Sequence, residues 1–365
     1  MERRAFLKRA GLGVSALAVG AGVARPLRAL AAADAGKWRT FEVTSRAEIV
    51  EPTGVTRVWL PLPLEPDTDY HRNVGKLTSN SNAAVTRVVK DPKYGAAMFY
   101  AEWPAGVGEP VVEVTTRFAT RDRAVDPRKP GSGPQESKAT LAKYVEATKL
   151  IRTDGIVLKT SQEITRGQKT DLDKARAIYE WICDNTFRDP KVRGCGVGDI
   201  SWMLETGNLG GKCADLNALF VGLARAAGIP ARDIYGVRVA DSAEFKSLGK
   251  SGDITKAQHC RAEFYLAGSG WIPVDPADVR KVVLEEKGGL PVTDPLVHRA
   301  RTKLFGAWEM NYLAYNYAHD VKLPNSAGDL VAFFMYPQAE SGNERRDSLD
   351  ADTFRYKLTS REISA

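Results

Sequence analysis

The strongest helical signal in this chain is an apolar stripe that begins just after residue 213. Its apolar residues recur every three or four positions, at Leu216, Leu219, Phe220, Leu223, Ala224 and Ala227. The stripe stops at Gly228-Ile229-Pro230, a combination that is typical of a helix end. The segment Gly210-Gly211-Lys212-Cys213 comes immediately before the stripe, so Cys213 is predicted to lie in the first turn of the helix.

A cysteine in the first turn of a helix faces backbone N–H groups without partners and the positive end of the helix dipole. Both favour the thiolate, which is the nucleophilic form of the side chain. The two preceding glycines would let a substrate carbonyl approach, and the Cys213 N–H could donate to its oxygen. On its own, such a cysteine is more often a small buried residue, so a catalytic role depends on partners.

His259 and Asp275 are the candidate partners. Between them the sequence predicts two short strands joined by a turn at Gly268-Ser269-Gly270. A hairpin centred near residue 267 brings position 259 close to position 275 at the open end of the strands. Asp275 could then hold one imidazole nitrogen while the other faces Cys213.

Side-chain alternation along the first of these strands predicts which way His259 points. One face of the strand is apolar and consists of Cys260, Ala262, Phe264 and Leu266. The other face is polar or aromatic and consists of His259, Arg261, Glu263 and Tyr265. We expect Cys260 to face the core and His259 to face away from it. His259 or Asp275 alone is better explained by a local turn, but with Cys213 they predict a Cys-His-Asp triad.

The rest of the chain divides into regions of different pattern. Residues 36–123 carry short β-branched and aromatic runs between turn residues, which predicts an antiparallel β domain of sandwich type. Residues 124–137 hold three prolines and two glycines and are predicted to be a linker. Residues 138–280 mix helices and strands, and residues 281–365 are predicted to be a β-rich extension packed on that core. The predicted fold class is therefore α+β.

Four blocks in the middle region resemble the transglutaminase-like core of bacterial proteins. They are Gly211-Lys212-Cys213-Ala214-Asp215, Ala226-Ala227-Gly228-Ile229-Pro230-Ala231-Arg232, His259 with Glu263, and Trp271 with Val274-Asp275-Pro276. The resemblance covers about residues 140–280. It implies a papain-like fold in which Cys213 is the nucleophile, His259 the general base and acid, and Asp275 the residue that orients His259.

Two features of the site are not supplied by the family pattern. Many members have an aromatic residue two positions after the histidine, whereas this chain has Arg261, which would change the wall of the cleft. No motif identifies the side chain that completes an oxyanion hole. Asn208 and Trp202, shortly before Cys213 in the sequence, are the candidates, although loop residues of this kind are more often structural.

Such a triad would attack an amide carbonyl and form a thioester while His259 protonates the departing amine. Water would then make the enzyme a peptidase or amidase, and a lysine-type amine would make it a protein-glutamine acyltransferase. The catalytic residues do not distinguish these outcomes, and no cofactor is expected. The alternative function is a non-catalytic module that binds peptide or glycan on a transglutaminase-like scaffold.

The first 31 residues have the features of a twin-arginine signal peptide. Arg3-Arg4-Ala5-Phe6-Leu7-Lys8 resembles the twin-arginine motif, and Ala29-Leu30-Ala31 fits a cleavage site. The Gly- and Ala-rich stretch between them, Gly11 to Ala24, has about 14 residues and is too short for a stable membrane anchor. We therefore expect export by the twin-arginine machinery to a bacterial periplasm or exterior, where peptides, proteins and peptidoglycan peptides are candidate substrates.

Charge and cysteine content bear on the other function classes. Residues 1–31 carry a net charge of +5 out of +7 for the whole chain, so the remainder is near neutral at +2 and gives no reason to expect nucleic-acid binding. In an oxidising compartment, Cys183 and Cys195 could form a disulfide or remain two buried thiols. No metal site is predicted, because a Cys3His zinc site drawn from all four cysteine segments would lack the usual close ligand spacing.

Overall fold

The fold is given by a computed structural model that describes residues 36–129, 131, 133 and 135–364, so the predicted signal peptide at residues 1–31 lies outside the described residues. The helices are α1 (Lys138–Lys143), α2 (Gly155–Ile164), α3 (Asp171–Asn185), α4 (Ile200–Thr206), α5 (Cys213–Ala226), α6 (Pro276–Glu285) and α7 (Pro295–Lys303). Two short 3-10 helices cover Lys246–Leu248 and Glu286–Gly288. None of the described helices combines the length and hydropathy that crossing a bilayer requires.

The strands are numbered along the chain from the first described one. They are β1 (Arg39–Ile49), β2 (Thr56–Pro61), β3 (His71–Asn73), β4 (Thr78–Ser81), β5 (Val85–Lys90), β6 (Ala97–Trp103), β7 (Val111–Thr120), β8 (Arg123–Ala124), β9 (Phe187–Arg188), β10 (Gly210–Gly211), β11 (Ala231–Arg238), β12 (Gly252–Asp253), β13 (Gln258–Leu266), β14 (Gly270–Val274), β15 (Ala307–Trp308), β16 (Tyr312–Asn316), β17 (His319–Val321), β18 (Val331–Phe333), β19 (Gln338–Ser341), β20 (Glu344–Arg346) and β21 (Phe354–Ser364).

Two sheets form a sandwich that contains the strands of the first part of the chain together with later strands. One has the order β12-β21-β1-β7-β3, with β4 also paired to β7, and the other has the order β20-β19-β2-β6-β5. Burial alternates along β1 and β7, because one face of each strand packs partly on the opposite sheet and partly on the core strands β11 and β16, while the other face is more open. Ala47 and Val112 of the first sheet share one hydrophobic cluster with Leu60 and Phe99 of the second. The sandwich predicted for this region is therefore present.

The C-terminal strands do not pack only on the core, as the sequence led us to expect for residues 281–365. β21 runs antiparallel along β1 from Thr40↔Ser364 to Ile49↔Phe354, and β19 pairs with β2. Of the later strands, β16 joins the core sheet beside β11. The boundary near residue 281 therefore does not separate one structural unit from another, because strand patterns identify strands but not their partners across the chain.

The core consists of helix α5 packed on a four-stranded antiparallel sheet with the order β14-β13-β11-β16. The apolar stripe read from the sequence makes α5 almost wholly buried, from Cys213 to Arg225. Helices α2, α3 and α6 pack on α5. In α3 the Thr170 hydroxyl caps the first turn by accepting from the Asp173 N–H at 3.1 Å. The predicted α+β arrangement is confirmed.

The hairpin of β13 and β14 is buried on both faces. Its register pairs Leu266 with Gly270, which centres it on Gly268, one residue beyond the predicted position. Cys260 packs in the hydrophobic core and His259 lies on the opposite face of the strand, as the alternation predicts. Every residue from Gln258 to Tyr265 is buried, however, so that opposite face is covered rather than open. The polar face is covered by Arg123 of β8 and by the aromatic side chains around it, which the sequence pattern could not reveal.

Glu263 on this face neutralises two buried guanidinium groups. It forms ion pairs with Arg123 and Arg232, and its side chain has no exposed surface. The Arg232 guanidinium also lies over the rings of Trp271 and Tyr317, at 3.9 and 3.8 Å from their centroids. Burial alone would raise the pKa of Glu263, but the two arginines outweigh it and hold that pKa below its ordinary value.

We predict that Glu263→Ala lowers the free energy of unfolding by about 3–5 kcal/mol, because it leaves two buried cations without a partner. The exposed pair of Lys93 and Glu146 provides the control. Glu146→Ala should cost less than about 1 kcal/mol. Urea denaturation of both variants measures the two losses, and equal losses would contradict this role for Glu263.

Candidate active site

Cys213 is the first residue of helix α5, as predicted, and the carboxylate of Asp215 arranges the loop beside it. Asp215 Oδ2 accepts from the Lys212 N–H at 2.9 Å, and Oδ1 accepts from the N–H groups of Val197 and Gly198, each at 2.9 Å. Gly196 has φ +97°, and a Cβ there would lie 1.8 Å from Asp215 Oδ2, so this position needs glycine. The helix start and the loop are thus held together.

This arrangement places Cys195 beside Cys213. The Cys195 carbonyl accepts from the Ala214 N–H at 2.9 Å, and the Cys195 thiol donates to the Gln258 carbonyl at 3.3 Å. Cys260 faces the core, as predicted, with its Sγ 3.9 Å from the sulfur of Met335. It nevertheless neighbours Cys213, so two further thiols surround the candidate nucleophile.

His259 and Asp275 meet as the hairpin argument predicts. Asp275 follows β14 and caps helix α6, where its Oδ1 accepts from the Asp278 N–H at 3.0 Å. Its Oδ2 lies 2.8 Å from His259 Nε2. Asn217 of α5 donates to Asp275 Oδ1 at 3.1 Å and to the Cys260 carbonyl at 2.8 Å. Asn217 therefore ties the carboxylate to the helix that begins with Cys213.

A second carboxylate, which the sequence did not single out, also faces His259. Asp278 Oδ2 lies 3.4 Å from His259 Nε2, and Arg238 Nη2 donates to Asp278 Oδ1 at 2.6 Å. The Arg261 guanidinium lies 3.8 Å from Asp275 Oδ2. All of these side chains are almost fully buried. A pair of acidic residues three positions apart at the start of α6 is the sequence signal that could have identified Asp278.

The buried charges shift the pKa values of the candidate pair in opposite directions. Burial and Arg238 disfavour the imidazolium, but the charges of Asp278 and Asp275 outweigh them and raise the pKa of His259 to about 9. The neighbouring thiols of Cys195 and Cys260, and then His259, hold the pKa of Cys213 well below its ordinary value, although burial opposes this. At neutral pH the site therefore favours a thiolate beside an imidazolium.

The two flanking thiols behave differently from Cys213. The interaction with Cys213 and burial raise the pKa of Cys195, and burial with the same interaction raises the pKa of Cys260. Burial also raises the pKa of Cys183, which lies on α3. Of the four cysteines, Cys213 is the one whose surroundings favour the reactive form.

A cavity of about 1010 Å³ opens at this cluster. Its wall includes Cys213, His259 and Cys195, together with the polar side chains of Gln258 and Tyr336. Burial raises the pKa of the Tyr336 hydroxyl, which keeps it a hydrogen-bond donor. Gln258 and Tyr336 are thus two of the uncharged side-chain donors that share the cavity with Cys213.

The two oxyanion candidates chosen from the sequence are not brought to this cavity. Trp202 lies on α4 with 51% of its surface exposed. Asn208 is exposed, and its Oδ1 accepts from the Gly210 N–H at 3.2 Å in a local turn. Neither residue lines the cavity. Nearness to Cys213 along the chain did not give a place in the cavity wall, because Trp202 faces solvent and Asn208 bonds within a local turn.

Cys183 and Cys195 are free thiols in different surroundings. The carbonyl of Cys183 accepts from Arg280 at 2.9 Å, and charges of Arg301 and Glu180 act on its thiol. Cys195 instead neighbours Cys213 and Tyr336. The disulfide considered from the sequence is not formed, and all four cysteines are free.

One group of side chains has the spacing of a metal site. Ligand atoms of His259, Asp275 and Asp278 lie within 4.8 Å of one another. Their hydrogen bonds to each other and to Arg238 and Asn217 already use these atoms, and the nearby guanidinium groups oppose a further cation. The donor set therefore fits a hydrogen-bonded imidazolium better than a metal ion.

Comparison with known proteins shows that the candidate site lies in a transglutaminase-like domain. A model of the transglutaminase-like superfamily matches residues 158–276, which include Cys213, His259 and Asp275. An uncharacterized protein of Haemophilus influenzae is 37% identical over 343 residues, covering 88% of this chain and 91% of that protein.

One solved structure shows the same fold at low sequence identity, and a second aligns with a lower score. A protein from Cytophaga hutchinsonii described as a candidate cysteine protease aligns with a TM-score of 0.51 and 15% identity, covering 89% of this chain and 98% of that one. The periplasmic domain of TgpA from Pseudomonas aeruginosa aligns with a TM-score of 0.33 and 14% identity, covering 66% and 93%. The predicted transglutaminase-like core is therefore confirmed as a fold.

We predict that Asp278→Asn lowers the pKa of His259 from about 9 by at least ~1 unit. The substitution keeps the shape of the side chain but removes a negative charge that favours the imidazolium. Titration of the histidine ring signals by NMR between pH 5 and 10 measures the change, and loss of one signal in His259→Gln identifies it. Asp253→Asn, at the cavity wall, is the control and should leave the value unchanged. An unaltered pKa in Asp278→Asn would contradict the electrostatic argument.

Proposed function

This chain belongs to one family with its Haemophilus influenzae relative and carries a transglutaminase-like domain, and on that basis we propose that it is a thiol enzyme acting on amide or peptide bonds. The observation that carries the proposal is the His259 imidazole, held by Asp275 and Asp278, in the same cavity wall as the helix-start thiol of Cys213. A buried thiol without such partners would be inert.

In the proposed reaction, the Cys213 thiolate attacks the carbonyl carbon of a bound amide and gives a tetrahedral oxyanion. The Cys213 N–H, which has no acceptor within the first turn of its helix, donates to that oxyanion. The His259 imidazolium gives its proton to the departing nitrogen as the C–N bond breaks. The products of this half-reaction are a free amine and a thioester on Cys213.

The second half-reaction regenerates the thiolate. Neutral His259 takes a proton from the incoming nucleophile, which attacks the thioester carbonyl, and the C–S bond breaks. Asp275 accepts from Nε2 throughout, so the same ring orientation serves both proton transfers. His259 ends the cycle protonated, as it began.

Water is the proposed acceptor. Eight cationic side chains line the cavity, four of them paired with carboxylates outside its wall, and Asp253 is the one acidic residue in the wall itself. A protonated lysine-type amine would be repelled from such a cavity, whereas water would not. The charge of the cavity therefore favours hydrolysis over transfer to an amine.

We predict that the wild-type protein forms a peptidyl thioester on Cys213 when incubated with peptides containing glutamine, and releases ammonia or a new amine. Cys213→Ala should lower product formation by on the order of a thousandfold or more, since the nucleophile is lost. Cys183→Ala, which removes a thiol outside the cavity, should retain activity. Intact-protein mass spectrometry detects the thioester, and peptide mass spectrometry detects the products.

Adding an amine such as cadaverine separates the two possible acceptors in the same assay. Hydrolysed peptide should dominate over the amine adduct. Adducts in excess would make the protein an acyltransferase. Absence of thioester, hydrolysis and adduct across a peptide panel would contradict an enzymatic function and favour the binding-module alternative.

A further inference from the structure

The cavity at Cys213 carries far more positive charge than the chain as a whole. Outside residues 1–31 the net charge is +2. Four of the cations lining the cavity are nevertheless paired with neighbouring carboxylates, of which there are three. Arg188 and Lys281 pair with Glu285, Arg193 pairs with Asp347, and Arg238 pairs with Asp278. The pairing reduces the charge that these four side chains present to a ligand.

The other four cations are lysines without such partners. Lys212, Lys250, Lys256 and Lys357 line the cavity, and none of them lies within 4.0 Å of a carboxylate oxygen of the residues that the structure describes. Asp253 is the one acidic residue among those that line the cavity. The cavity thus has an excess of positive charge that the protein itself does not neutralise.

The free lysines come from two places around the thiol. Lys212 immediately precedes Cys213 and is half-buried. Lys250 and Lys256 flank β12, which pairs with β21, the strand that carries Lys357. Three lysines therefore share one rim of the cavity, and the fourth lies at the nucleophile.

We propose that the natural substrates are acidic peptides, whose carboxylates bind Lys212 and the rim lysines while the scissile amide lies at Cys213. The proposal rests on the proposed function of this cavity and adds its substrate class. Clustering like charges in a concave wall costs free energy unless a ligand of opposite charge binds there, and such a wall also concentrates anionic ligands. Leu349 and Tyr356 in the same wall offer apolar surface for the rest of a peptide.

A role in activating the thiolate does not account for the rim lysines. The groups that most lower the pKa of Cys213 are the neighbouring thiols and His259. Lys250, Lys256 and Lys357 are exposed side chains, whose effect on a buried thiol is screened by solvent. Their placement is better explained by a ligand that enters the cavity.

Two sources could supply this chemistry. One is an acidic segment of a protein, and the other is the stem peptide of peptidoglycan, which carries free carboxylates. Both would present carboxylates within a few residues of an amide bond. The two sources differ in the chemistry of the peptide backbone, so the experiment includes one probe from each source.

The test measures peptide binding to the Cys213→Ala variant by isothermal titration calorimetry. This variant lacks the nucleophile, so the peptides are bound but not consumed. The probes are acetyl-Glu-Ala-Gln-Ala-Glu-amide, the same peptide with Gln in place of both Glu residues, and a purified stem peptide with free or amidated carboxylates. We expect the acidic form of at least one pair to bind about tenfold more tightly than its neutral form, with the preference falling as salt is added. The pair with the larger preference identifies the source.

Triple substitution of Lys250, Lys256 and Lys357 to Gln in Cys213→Ala should abolish this preference. A matched triple substitution of the exposed Lys138, Lys159 and Lys169, which lie outside the cavity, should leave it intact. Equal binding of acidic and neutral forms of both probes would overturn the proposal, as would loss of the preference in the control triple. If the wild-type protein forms the thioester but Cys213→Ala binds acidic and neutral probes equally, the acidic-substrate inference alone is refuted. If Cys213→Ala prefers the acidic probes but the wild-type protein shows no turnover, only the enzymatic function is refuted.

Discussion

The hydrogen bond between His259 and Asp275 is the interaction on which the site depends. Asp275 lies where β14 ends and α6 begins, and it is fully buried. Its two oxygens accept from the imidazole, from Asn217 of α5 and from the first turn of α6. A single carboxylate thus connects the hairpin, the following helix and the helix that presents Cys213. A buried carboxylate is costly unless its oxygens are hydrogen-bonded. Loss of one of these partners therefore weakens the positions of the others.

Burial determines the electrostatics of the site. A histidine in an apolar interior would lose its proton, but His259 lies between Asp275 and Asp278, and Arg238 holds the second carboxylate in place. The imidazolium is therefore stabilised at a position that solvent scarcely reaches. The same low exposure strengthens its effect on Cys213, so the geometry of the hairpin and the protonation state of the thiol are two consequences of one arrangement.

Much of the fold and of the candidate site could be predicted because the signals were local. The helix start at Cys213 and the hairpin between His259 and Asp275 are encoded by short segments, and the structure brings them together. Features made by remote segments could not be predicted in this way. β21 pairs with β1 across the chain, Cys195 reaches Cys213 through a loop held by Asp215, and the cavity lysines come from separate segments. Asn208 and Trp202 were chosen because they precede Cys213 closely in the sequence, but neither lines the cavity. Residues that are close in sequence need not contact the same site.

The central claim is that Cys213 is a thiolate stabilised by the thiols of Cys195 and Cys260 together with His259, and alkylation with iodoacetamide across pH 5–9 tests it most directly. In the reduced wild-type protein, mass spectrometry should find Cys213 modified near pH 6 at least ~10-fold faster than Cys183, whose pKa burial raises. In His259→Ala, modification of Cys213 should need a higher pH than in the wild-type protein, because the imidazolium no longer stabilises the thiolate. Slow and equal modification of all four cysteines, unchanged by His259→Ala, would contradict the account.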